Sequence, residues 1–89
     1  MPTHFLTVTY RNAKPFAAYL FLPRQPEDRS ARTKRFSESL VIDYAPDDRP
    51  IGIEIVHPQA VTIDEINSAL AHVNQSALTA EDVAPLTAA

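Results

Sequence analysis

Residues 40–56, LVIDYAPDDRPIGIEIV, set two alternating apolar runs on either side of a proline-bounded turn. In a strand, successive side chains point to opposite faces, so pairing two such runs sorts their residues by parity. With Asp47 and Asp48 at the turn centre, Tyr44 faces Ile51, Ile42 faces Ile53 and Leu40 faces Ile55. All of these apolar side chains then share one face. The other face takes Val41, Asp43, Gly52, Glu54 and Val56. Asp43 stands opposite Gly52 and Glu54 opposite Val41, which makes the two carboxylates diagonal neighbours with Cα atoms about 7–8 Å apart. The turn PDDRP lacks Asn-Gly or Asp-Gly, so a longer loop or a bulge is expected there.

The remainder of the chain supplies partners for this hairpin. Residues 4–10, HFLTVTY, alternate with β-branched and aromatic residues and predict a half-buried strand. Residues 11–15, RNAKP, carry turn signals. Residues 16–22, FAAYLFL, are apolar on both faces, which predicts a central strand covered on both sides, ended by Pro23 and Pro26. Its neighbours in the sheet are left open by the pattern. A polar, basic loop follows, with an extended piece near Arg32–Phe36. Thr62-Ile63-Asp64-Glu65 has the form of a capping box. Ile63, Ile66, Leu70 and Val73 follow at helical spacing, so a helix is expected over about 62–74. Thr79-Ala80-Glu81-Asp82 opens a helical turn over about 79–84 that Pro85 is expected to close. The Ala-rich end, Leu86 to Ala89, is expected to fray. These elements predict one α+β domain over 1–89. It has two layers: an about four-stranded, mostly antiparallel sheet and one main C-terminal helix on one face.

Composition limits the function classes. The chain has 89 residues, 45% of them apolar and 21% charged, as expected of a folded domain. It has no cysteine, which excludes disulfides and thiolate metal sites. The opening MPTHFLTVTY shows neither the basic nor the continuous apolar region of a secretory signal, and no run is long enough to span a membrane. A cytoplasmic protein without membrane contact is the expectation. Net charge is −3, but residues 1–35 carry an excess of cations, while residues 36–89 hold Arg49 against all the remaining acids. Such asymmetry is neutralised within one fold, between two copies, or by a partner.

Ala18-Tyr19-Leu20 with Leu22, then Leu40-Val41-Ile42-Asp43-Tyr44 and Gly52-Ile53-Glu54-Ile55, resemble the bacterial family called domain of unknown function 2283. The resemblance covers about residues 8–57. It extends more loosely to residue 86 through Val61-Thr62 and Ala84-Pro85-Leu86. The sequence departs from the family pattern at Arg11 and Lys14, where members often carry acids, and in lacking the usual turn glycine. The family name assigns no activity. Some members look like small proteins encoded beside toxin-like genes, so the resemblance implies an antitoxin-like or other partner-binding role.

Two function classes compete on the residues themselves. Asp43 and Glu54 are the catalytic or metal-binding candidates, since adjacent carboxylates can shuttle protons or hold a hard cation. No nucleophile, activated histidine or ligand cluster accompanies them. His4, His57 and His72 lack ligand spacing, and no cofactor or metal is expected. The alternative for these acids is structural: Arg32, Lys34 or Arg35 crosses onto their face and fixes the register. The basic patch Arg24, Arg29, Arg32, Lys34 and Arg35 suggests phosphate contacts. However, Glu27 and Asp28 interrupt it and no nucleic-acid motif appears, so the expectation is a solvated loop that pairs with the acidic half. Tyr19, Phe21, Val41 and Val56 form an apolar face with nothing assigned to cover it. They are the interface candidates, with a homodimer or a protein partner as the occupant. The reading favours an interaction or regulatory module over an enzyme.

Overall fold

The computed structural model describes residues 5–87, so His4 and the final alanines lie outside the described residues. Strands β1 (Phe5–Arg11), β2 (Lys14–Phe21), β3 (Arg32–Arg35), β4 (Leu40–Tyr44) and β5 (Pro50–Ile55) form one antiparallel sheet in the order β1-β2-β5-β4-β3. Helices α1 (Ile63–His72) and α2 (Ala84–Thr87) follow. The α+β class holds, but the sheet has five strands rather than four. The additional one is β3, whose sequence RTKR is exposed at every position. With no apolar alternation to announce it, β3 forms through its backbone pairing with β4.

Strand β2 lies between β1 and β5, which settles its neighbours. Ala18, Leu20 and Leu22 point toward α1 and join Leu40, Ile42, Ile53 and Ile55 in the core. From α1, Ile66, Ala69 and Leu70 join it, and Val83 and Leu86 complete it; the expectation that the chain frays from Leu86 is corrected, since Leu86 lies in α2 (Ala84–Thr87) and is buried in this core. The expectation of cover on both faces of β2 is therefore corrected: Tyr19 and Phe21 remain half-buried on the side away from α1. Burying an aliphatic side chain of this size contributes about 1.5–3 kcal/mol, so one face of the sheet carries most of the folding drive.

Both hairpins contain an irregularity. At the β1–β2 turn, Asn12 and Ala13 adopt φ of 54° and 65°, the left-handed pair of a two-residue hairpin loop. Thr9 pairs with Ala17 but Tyr10 pairs with Pro15, which makes Phe16 the extra residue of a bulge. In the β4–β5 hairpin, Leu40 faces Ile55, Ile42 faces Ile53, and Asp43 faces Gly52. The expected Tyr44–Ile51 pair does not form. Tyr44 faces Pro50 because a register shift follows Asp43. The loop closes through Asp48 N–H to the Ala45 carbonyl at 2.8 Å, with Asp48 at φ 70°.

The chain from β2 to β3 must pass the ends of β5 and β4. Leu22 N–H donates to the Ile51 carbonyl at 3.2 Å and Ala31 N–H to the Tyr44 carbonyl at 2.8 Å. Between these anchors, Arg49 donates two hydrogen bonds to the Asp28 carboxylate, at 3.0 and 2.7 Å.

Thr62 caps α1 by accepting from Glu65 N–H at 3.1 Å. The Glu65 carboxylate receives the Ser37 hydroxyl and so ties α1 to the β3–β4 turn. The helix stops at His72, short of the expected Asn74. Asn74 turns left-handed at φ 61°, and Gln75 N–H and Asn74 N–H close onto the Leu70 and Ala71 carbonyls. Asn67 then holds the following segment by bonding both the N–H and the carbonyl of Leu78. Pro85 does not close a turn. It lies in the first turn of α2, where a missing N–H leaves no helical bond unmade. Among the described residues no helix is long and apolar enough to cross a membrane.

Candidate interaction face

Cross-strand register assembles the face away from α1. One row runs Phe5, Phe21, Gly52, Asp43 and Thr33; the next runs Thr7, Tyr19, Glu54, Val41 and Arg35. Asp43 and Glu54 therefore share this face, on adjacent strands. Their surroundings differ. The Tyr19 hydroxyl donates to Asp43 Oδ2 at 2.8 Å. To reach it, the Tyr19 ring crosses directly above Gly52: a Cβ built on Gly52 would lie 1.8 Å from the Tyr19 hydroxyl oxygen. The lone glycine of the chain thus marks a close approach by its own neighbour strand. Burial, then the hydrogen bond and charge of Asp43, push the Tyr19 hydroxyl above its ordinary pKa, so it stays protonated and donates.

The expected arginine contacts to these acids are corrected here. Arg32 extends to Asp48 at 2.8 Å and lies over the Tyr44 ring at 4.4 Å. Arg35 donates to the Ser37 and Glu38 carbonyls, both at 3.0 Å. Tyr19, a residue of β2, is what holds Asp43. Arg24 stacks over Phe21 at 5.5 Å and donates to the Asp28 carbonyl at 3.4 Å. Arg29 and Lys34 are exposed. Arg24, Arg32 and Arg35 are thus drawn onto aromatic rings, local carbonyls and the β4–β5 loop. Among the described residues, no group of three His, Asp or Glu side chains is placed to hold a metal ion.

The apolar part of the face falls in two portions, with Glu54 between Tyr19 and Val41. Tyr19 and Phe21 meet edge to face at 4.7 Å, and Phe21 meets Phe5 at 5.7 Å. Phe5 is 63% exposed. Val41 and Val56 are half-buried. The β1–β2 bulge adds Phe16, 51% exposed, which sequence parity had not placed here. Pro15 was the available signal, since a proline inside a strand marks a bulge or an edge. At this end of the sheet, Phe16, Ala17, Glu54, Val56, His57 and Pro58 line a groove of about 690 Å³.

Residues 17–57 match the family described as protein of unknown function (DUF2283). This stretch belongs to that family. The DUF2283 segment opens inside β2 and closes just beyond β5, so it contains Tyr19, Phe21, Val41, Asp43, Gly52, Glu54 and Val56. Strand β1 and both helices lie outside it. Neither a curated protein nor a solved structure matches the chain.

Proposed function

We propose that this protein is a self-associating interaction module that docks a second copy of itself through the sheet face away from α1. The observation that carries the reading is the set of aromatic and aliphatic side chains Phe5, Phe21, Tyr19, Val41, Val56 and Phe16, exposed or half-buried on a face that no helix packs against. Strand spacing and rise give this face roughly 400 Å². Two copies packed face to face would bury roughly 800 Å² in total, below the ~1,200 Å² of most stable complexes. The area therefore argues for a weak, reversible dimer with a dissociation constant above about 1 µM.

The competing reading makes Asp43 and Glu54 an acid/base or metal pair. Asp43 already accepts from Tyr19, and among the described residues no group of three acid or histidine side chains gathers around the pair. Sedimentation across roughly 10 µM to 1 mM tests the dimer. A monomer–dimer equilibrium is expected, and Val41→Lys shifts it to monomer while leaving circular dichroism unchanged. A chain that stays monomeric throughout that range overturns the reading. A stoichiometric complex with a different protein on this face, in place of the second copy, would instead support the antitoxin-like role.

A further inference from the structure

Glu54 is the one carboxylate among the residues that line the groove at the end of this face. Glu54 is exposed and has no hydrogen-bond or ion-pair partner among the described residues. The turn at residues 12–13 lies at the same end of the sheet, because Ala18 near the start of β2 pairs with Ile55 at the end of β5. That turn carries Arg11 and Lys14, exposed and without a carboxylate partner among the described residues. The Arg11 guanidinium already lies 4.3 Å over the ring of Phe16, which lines the groove, so the tip's cation stands on the groove's side of the sheet.

A two-fold contact requires each copy to offer both halves of the match. Here an uncompensated pair of cations and an uncompensated carboxylate occupy the same end of one face. A two-fold axis between the sheets, parallel to the strands and running between β2 and β5, brings like ends together and sets the Lys14 end of β2 in each copy over the groove of the other. We infer that the groove seats the β1–β2 hairpin tip of a second copy, with Arg11 and Lys14 of that copy against Glu54. This inference rests on the self-docking reading above and adds its orientation: the copies pack with like ends together. The apolar side chains supply the attraction, while the charge pairs select the alignment, as rim charges commonly do.

Sedimentation equilibrium on charge reversals tests it. Glu54→Arg, and separately Arg11→Glu with Lys14→Glu, should each weaken the dimer about five-fold, the scale of an exposed ion pair. Combining all three reversals should recover the wild-type constant. Glu54→Gln, which leaves the groove's shape intact, should weaken association less than Glu54→Arg. Raising salt should weaken the wild-type dimer more than the Glu54→Gln dimer. A wild-type dimer indifferent to Glu54→Arg, or no recovery in the combined variant, overturns the orientation while the self-docking reading stands. A wild-type chain that never dimerises removes both.

Discussion

Gly52 shows how a single missing side chain organises its surroundings. The Tyr19 ring occupies the space where a Cβ would stand, and its hydroxyl reaches Asp43 through that space. Gly52→Ala should displace the ring, break the Tyr19–Asp43 hydrogen bond and cost about 1–3 kcal/mol in chemical denaturation. In a Tyr19→Val background the same substitution should cost much less, and that non-additivity is the signature of direct contact. The hydroxyl itself titrates in a predictable direction. Its folded pKa lies above the unfolded value of 10.0, so the stability it contributes is complete below that value and is lost as pH rises toward the folded one. On alkaline titration, the Tyr19 phenolate absorbance should develop only above its ordinary range, and Asp43→Asn should bring that step to lower pH. Ala13 shows the opposite economy of atoms. It carries a methyl group at φ 65°, where glycine is preferred, so Ala13→Gly should raise stability by about 0.5–1 kcal/mol.

Elements are held to one another by a few polar ties at the sheet's ends. The Asp28–Arg49 pair fastens the β2–β3 crossover to the β4–β5 loop, and the Asp28 side chain is only 5% exposed. The Arg49 hydrogen bonds, and after them the Gln25 N–H, hold the Asp28 carboxyl below its ordinary value of 3.8. A lowered folded pKa means that this stability is complete above the unfolded pKa and is lost as pH falls through the folded one. Acid should therefore loosen the crossover, with amide exchange of Leu22 and Ala31 accelerating before that of the core strands. Arg49→Ala should remove that pH dependence. For α1, Thr62→Ala removes the acceptor for Glu65 N–H and should cost about 1 kcal/mol, measured by thermal unfolding.

At the scale of the whole molecule, one face of the sheet is covered and the other is not. Leu20, Ile42, Ile53 and Ile55 meet α1 and are buried, whereas Phe5 and Phe16 on the uncovered side remain largely exposed. That imbalance predicts concentration-dependent behaviour: dimer fraction and melting temperature should rise together with protein concentration, because association stabilises only the folded state. Phe5→Ser should reduce that concentration dependence without unfolding the chain, since Phe5 has little folding contact to lose.

Much of this was legible in local pattern. Alternation in LVIDY and GIEI is enough to place Leu40, Ile42, Ile53 and Ile55 on one face and Asp43 with Glu54 on the other, because parity is a property of a strand's backbone and needs no partner. The cap at Thr62 was equally local. What the tertiary structure decided was everything that joins distant segments. Strand β3 falls where an extended piece was expected, but RTKR has no apolar alternation, and its place beside β4 is decided by backbone pairing with that edge. The Tyr19–Asp43 bond spans 24 residues and depends on β5 bringing Gly52 between them. The Phe16 bulge and the Tyr44–Pro50 pairing arise where one strand of a pair carries one residue more than its partner, which only the paired strands together define. A chain encodes the direction of each side chain locally, but which groups those side chains meet is determined only when strands remote in sequence settle into register.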